Sequence, residues 1–147
     1  MAVSAIGGIW IIRSRGKQEQ RRATVDLIIE QKRDKELTEA RELIRVMHEN
    51  GETNLARHLN LPDSTEYKAI LLALNTYEFI ASGIRTNAFS ESVYKRLRFS
   101  TVIRDWESFE GFVTEFRKQK KRDTFFQDLE WLYHRWKKNP LKCDGDE

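Results

Sequence analysis

The chain has 147 residues, of which 39% are apolar and 33% are charged. This length suits one ordinary domain with one core, and the composition excludes disordered and fibrous proteins. The formal charge of +3 is too close to neutral to indicate nucleic-acid binding by itself. The single cysteine, Cys143, cannot form a disulfide framework or a zinc site.

The first segment of the chain is apolar and then abruptly basic. Residues 2–12 (AVSAIGGIWII) carry no charge, and Arg13 follows them directly. A bilayer span needs about 20 apolar residues, and this run has 11. We interpret it as the remnant of a longer membrane anchor. An interfacial or half-inserted segment and an ordinary buried helix are the alternatives.

The residues around this segment resemble the flank of a membrane anchor. An aromatic residue at the interface with basic residues after it is typical of a cytoplasmic boundary. The sequence therefore predicts a location at the cytoplasmic face of a membrane, with a purely cytoplasmic protein as the alternative. The predicted flanking residues are Trp10, Arg13, Arg15 and Lys17.

Apolar residues then recur at three- and four-residue spacing, which predicts amphipathic helices. The first two helices are expected over residues 17–32 and 35–48. Asp34 between them either caps the second helix or lies inside one continuous helix. Asn50-Gly51 is a typical helix stop.

The middle of the chain contains the most apolar helix. Residues 54–59 are expected to add one helical turn before the break at Leu61-Pro62. Asp63 followed by Glu66 predicts a capping box. The helix over residues 67–84 is apolar around most of its circumference and should be central. It is expected to end at Gly83 or at the turn formed by residues 86–87.

Two aromatic-rich stretches follow. Ser90 is expected to cap a helix that breaks near residues 99–101, and a ring stripe then extends to Phe116. The last helix is expected to end at Asn139-Pro140. These patterns predict an all-α bundle of about five or six helices behind a short apolar N-terminal helix. The predicted divisions are residues 1–16 (apolar segment and basic flank), 17–139 (bundle) and 140–147 (polar tail).

The sequence lacks the known patterns of catalytic and metal sites. The three histidines are scattered without a second ligand at helical spacing, so no zinc motif is present. The pattern of an esterase nucleophile elbow is also missing. We therefore expect a protein that is not an enzyme and that binds no metal or cofactor.

Three polar residues of the central helix are candidates for a buried network. Asn75 and Glu78 are three residues apart, and Arg85 lies seven residues beyond Glu78 on roughly the same face. A buried carboxylate is costly unless it is paired and hydrogen-bonded. A structural network is the favoured interpretation, and a small enzyme or toxin-like effector built around Glu78 is the alternative.

A basic cluster near residue 120 is the candidate for contact with anionic surfaces. Positive charge is enough to hold phosphates, and aromatic side chains nearby could stack on bases. A basic run at a helix end is more often simply solvated. Nucleic acid or an anionic surface is therefore an alternative partner, less favoured than an unknown protein. The cluster comprises Arg117, Lys118, Lys120, Lys121 and Arg122.

Three segments together resemble one bacterial family. They are residues 21–24 (RRAT), residues 74–84 (LNTYEFIASGI) and residues 132–136 (LYHRW). This order is similar to the family called domain of unknown function 4760. The resemblance implies small helical proteins behind an N-terminal membrane helix, sometimes phage-related, with no enzymatic activity implied. With this resemblance, we expect a membrane-proximal interaction module at the cytoplasmic face of a bacterial inner membrane, of unknown oligomeric state.

Overall fold

The structure, a computed structural model, describes the backbone of residues 3–142 and the side chains of residues 15–142. This part of the chain contains five α-helices, one 3-10 helix and no strand, so the predicted all-α bundle is confirmed. The 3-10 helix, Ala56–Asn60, lies between the second and third α-helices. The α-helices are α1 (Val3–Arg33), α2 (Lys35–Glu49), α3 (Thr65–Arg85), α4 (Glu91–Lys120) and α5 (Gln127–Lys138).

Helix α1 contacts the bundle through its second half. Thr24, Ile28 and Gln31 are buried at helical spacing, and they form the face that meets α2 and α4. The amide of Gln20 donates to the carbonyl of Asn87 over 2.6 Å. The side chains of residues 15 and 17–19 are exposed. The helix therefore packs against the bundle from about Gln20 onward.

The helix ends follow the capping rules, with one correction. Asp34 caps α2 by accepting from the backbone N–H of Leu37 over 3.0 Å, so α1 and α2 are separate helices. Gly51 adopts a left-handed φ of 83° just after α2, as Asn50-Gly51 predicts. The predicted capping box is wrong, because Ser64 rather than Asp63 accepts from the N–H of Tyr67. A cap must lie three residues before the amide that it binds, and Ser64 has the required extended backbone.

The core lies around α3, which packs against α2, α4 and α5. The break expected near residues 99–101 is wrong, because α4 continues from Glu91 to Lys120. No glycine or proline lies between residues 91 and 110, and the ring of Phe99 packs 5.9 Å from the ring of Trp136. Among the described residues, the five largest fully buried side chains are aromatic, and all of them come from α4 and α5: Tyr94, Trp106, Phe109, Phe112 and Trp136.

Gly83 does not end α3, which continues to Arg85 and the turn after it. A Cβ atom on Gly83 would lie 2.1 Å from the ring of Phe89. Phe89 belongs to the connection between α3 and α4, and its ring also meets the ring of Phe79 edge-on at 5.8 Å. Glycine is therefore needed here because the α3–α4 connection packs directly on the helix backbone.

We expect Gly83→Ala to destabilise the fold by about 1–3 kcal/mol, since the ring of Phe89 must move to admit the methyl group. Urea denaturation measures this change. Gly16→Ala is the control, because nothing lies within 4 Å of the added Cβ and alanine favours helix. Equal stability of the two variants would contradict the packing role of Gly83.

Candidate functional site

Glu78 holds the beginning of α5. Its half-buried carboxylate accepts the backbone N–H of Asp128 over 3.2 Å and that of Leu129 over 2.8 Å. The residue before α5, Phe126, has a left-handed φ of 58° and makes no side-chain capping bond. A carboxylate near a helix N-terminus satisfies free N–H groups and favours the helix dipole. Glu78 therefore acts as the cap that α5 lacks in its own sequence.

The other two members of the predicted network are placed differently. Arg85 donates to a carboxylate oxygen of Asp128 over 2.7 Å, and the hydroxyl of Ser82 donates to the second oxygen. Glu78 and Arg85 thus meet at the same helix end, joined through Asp128. Asn75 is exposed on the outer face of α3. Burial raises the pKa of Glu78, while its bonds to the α5 backbone act in the opposite direction.

Most side chains of the basic cluster at residues 117–122 contact the end of α4 or the connection from α4 to α5. Arg117 donates to the carbonyl of Phe125 over 2.9 Å and to Glu130 over 2.8 Å, which fixes the connection to α5. Lys118 pairs with Glu115 over 2.7 Å. Three further members complete the end of the helix: Lys120 lies over the ring of Phe116, Lys121 is the left-handed C-cap, and Arg122 lies over the ring of Phe125.

The most deeply buried carboxylate among the described side chains is one that the sequence analysis did not select. The side chain of Asp105 accepts the hydroxyl of Tyr77 over 2.6 Å and the guanidinium of Arg104 over 3.0 Å, and the residue is 3% exposed. A signal was available, because Asp105 lies on the buried stripe of α4, three residues after Val102 and four before Phe109. An acidic residue at such a position predicts a buried pair.

Asp105 lies near His48 and Ser108 in an arrangement that resembles a catalytic triad. Nε2 of His48 is 2.9 Å from the hydroxyl of Ser108, and Nδ1 is 3.9 Å from Asp105. The hydroxyl of Ser108, however, donates to the backbone carbonyl of Asp105 over 2.8 Å. Nε2 must then be the donor to Ser108, so His48 cannot accept the serine proton. The arrangement supports the fold and is not set up for nucleophilic attack.

His48 is held in its neutral form by its surroundings. Burial lowers the pKa of His48, and the charge of Arg104 lowers it further. The carboxylates of Asp105 and Glu52 oppose this shift without cancelling it. The three titratable groups come from α4 and from the loop after α2, so the protonation of His48 is linked to the packing of these elements.

The predicted membrane flank is described only in part. Arg15 and Lys17 are exposed, whereas the side chains of Trp10 and Arg13 lie outside the described residues, as does Cys143. None of the described helices combines the length and apolarity of a bilayer span. Within residues 3–142, no three histidine, cysteine, aspartate or glutamate side chains gather into a metal site.

The comparison with protein families gave a match over most of the chain. The model of the family described as Domain of unknown function (DUF4760) matches residues 1–136. No curated protein matches the chain. No solved structure matches it either.

We expect Glu78→Gln to lower the free energy of unfolding by about 1–2 kcal/mol, because a neutral amide caps the N–H groups of α5 less well than a carboxylate. Thermal and urea denaturation measure the loss. Asn75→Ala on the exposed face of the same helix is the control, with an expected change below about 0.5 kcal/mol. Unchanged stability of Glu78→Gln would contradict the capping role.

The lowered pKa of His48 predicts a pH dependence of stability. Between that pKa and the ordinary value of 6.5, the unfolded chain binds more protons than the folded one. Stability should therefore be complete above pH 6.5 and decline as the pH falls through this interval. His48→Gln should lose this part of the slope in urea denaturation curves, while His134→Gln, at an exposed position, should retain it. Identical slopes for both variants would refute the assignment.

Proposed function

The chain belongs to the DUF4760 family, a domain of unknown function, and we propose that it is a non-catalytic interaction module held near a membrane. In this proposal the bundle faces the cytoplasm at the inner membrane of a bacterium and binds a protein partner. The observation that carries the proposal is a group of exposed cations on α1, the basic stem, which comprises Arg15, Lys17, Arg21 and Arg22.

The cations of the basic stem are not neutralised within the described part of the protein. Each of the four is exposed, and none has an ion-pair partner among residues 15–142. Glu19 is the single acidic residue between residues 13 and 25. Arginines of the bundle differ, since many pair with carboxylates: Arg45 with Glu42, Arg85 with Asp128, Arg117 with Glu130 and Arg135 with Glu91. The charge of the stem is thus available to an external anion.

The distribution of charge around α1 favours a helix that stands away from the membrane surface. At 100° per residue, Arg15 and Arg22 lie on one side of the helix and Lys17 and Arg21 on the other. Residues 13–22 (RSRGKQEQRR) contain no apolar side chain. A helix lying flat in the interface needs an apolar face opposite its polar one, and this segment has none. Cations on both sides of the helix fit a segment that leaves the membrane below an inserted part better than they fit a helix lying flat in the interface.

The residues before the stem support the same orientation. Residues 2–12 carry no charge, and Trp10 stands close to the first arginine, as at the interfacial boundary of an anchor. Anionic lipids of the cytoplasmic leaflet attract basic segments next to an anchor by about 1 kcal/mol per cation. The stem cations would add this electrostatic attraction to the hydrophobic attraction of the short apolar run.

The polar groups of the bundle are consistent with a module that performs no chemistry. Glu78 caps α5, Asp105 is bonded to Tyr77 and Arg104, and the hydroxyl of Ser108 faces a backbone carbonyl. A general acid or base must reach the proton of a bound substrate. Each of these groups is instead engaged in contacts between or within helices.

The proposal is tested by fractionating bacterial cells that express the full chain. We expect the wild type in the membrane fraction. The fourfold variant of the basic stem should instead be found more in the soluble fraction; its substitutions are Arg15→Gln, Lys17→Gln, Arg21→Gln and Arg22→Gln. Arg15 and Lys17, the cations nearest the surface, contribute about 1 kcal/mol each, and Arg21 and Arg22 contribute less because of screening, so surface binding should weaken by about thirtyfold or more.

A variant with the same loss of charge on the bundle provides the control. This control variant should keep the wild-type distribution between the membrane and soluble fractions. Its substitutions are Lys118→Gln, Lys120→Gln, Lys121→Gln and Arg122→Gln. A wild type found wholly in the soluble fraction would end the proposal. A shift produced by the control and not by the stem variant would favour the residue 117–122 cluster as the anionic contact.

A further inference from the structure

We propose that the outer face of α5 around Trp131 is a second contact with the membrane and binds the phosphate headgroups of anionic lipids. This inference rests on the proposed membrane location. Four residues of α5 share this face at spacings of three, four and seven residues, and with Asn139 they line a cavity of about 380 Å³. The four residues are Trp131, His134, Arg135 and Lys138.

The centre of this face is an indole between two guanidinium groups. The Cζ atom of Arg85 lies 5.2 Å from the ring centroid of Trp131, and that of Arg135 lies 5.6 Å from it. Such distances are those of cation–π contacts, which hold both cations beside the ring. Tryptophan with neighbouring basic residues is typical of proteins at the membrane–water interface.

The face retains positive charge after its internal ion pairs are counted. Arg85 is paired with Asp128, and Arg135 is paired with Glu91 over 2.8 Å. Lys138 is exposed and has no acidic partner in the part of the chain that the structure describes. The ammonium group of Lys138 is therefore the cation most available to a phosphate.

The same face lies beside the point where α1 joins the bundle. Gln20 of α1 donates to the carbonyl of Asn87, which is two residues beyond Arg85. The hydroxyl of Thr24 accepts the N–H of Ser90 over 2.8 Å. Glu91, the next residue, accepts both the Nε and the Nη2 hydrogen bonds of Arg135. Two short series of contacts thus connect α1 with the outer face of α5.

The geometry of α1 places the junction of this helix with the bundle close to a membrane that holds the beginning of α1. A helix rises about 1.5 Å per residue, so Gln20 lies about 10 Å along the axis from Arg13. That distance is close to the screening length of about 8 Å at physiological salt. With Arg13 at the headgroups, a tilt of α1 toward this side of the bundle would bring the cations beside Trp131 against the anionic surface.

The residue 117–122 cluster is placed less well for this contact. Helix α4 is continuous over 30 residues, and α1 meets it near its beginning. The far end of α4 is then about 45 Å away along the helix, several screening lengths from the junction with α1. An anionic membrane reached through α1 should be bound by α5 and not by the end of α4.

The experiment measures binding of the full chain to sedimenting vesicles, either of phosphatidylcholine alone or with a third of phosphatidylglycerol, over a range of salt. Lys138→Glu is compared with Lys120→Glu, since both lysines are exposed in the last turn of a helix and both variants change the charge by two. We expect Lys138→Glu to weaken binding to anionic vesicles by about tenfold or more and to flatten its salt dependence. Lys120→Glu should change binding less than about twofold.

The possible outcomes separate the two proposals. Equal binding of the two variants, with weakened binding of the stem variant, would overturn the α5 contact and leave the membrane module in place. A wild type that binds neither kind of vesicle would overturn both. Binding to single-stranded DNA that exceeds binding to vesicles and is lost in Lys138→Glu would replace lipid by nucleic acid as the ligand. Thermal melting, with Lys138→Gln as a milder variant, verifies that folding is intact.

Discussion

The position of α5 depends on a carboxylate that another helix supplies. The residue before α5 is a phenylalanine in a left-handed conformation and cannot bind the first N–H groups of the helix. Glu78 of α3 accepts two of them, and Asp128 in the first turn is held in turn by Arg85 and Ser82. Unsatisfied N–H groups at a buried helix end are costly, so this interaction selects where α5 can begin. The packing of Leu129, Leu132 and Trp136 into the core follows from that position.

A second buried carboxylate joins the centre of the bundle. Asp105 is bonded to Tyr77 across the α3–α4 contact, and His48 of α2 lies beside it. Burial and the negative charge of Asp105 raise the pKa of Tyr77 well above its ordinary value, so the phenol keeps its proton and remains a donor. Three helices therefore meet at one polar point inside an otherwise apolar core, which restricts the ways in which they can slide against one another.

Much of the architecture could be predicted from the sequence because helix periodicity and stop signals are local properties. Asn50-Gly51, the apolar α3 and the ring stripe of α4 indicate their elements correctly. The partners of polar residues could not be predicted in the same way. Glu78 was selected from its helix face, but its partners are backbone groups 50 and 51 residues away. The break expected near residue 100 failed because Phe99 finds a ring of α5 to pack against, which spacing alone does not show.

The junction between α1 and α2 has a mechanical consequence. Asp34 is the single non-helical residue between the two helices, and α1 is also fixed to the α3–α4 connection through Gln20 and Thr24. No flexible linker separates α1 from the bundle, so a tilt of this helix rotates the bundle by the same angle. A binding partner would meet the bundle at a fixed angle, and little orientational freedom would remain to be lost on association.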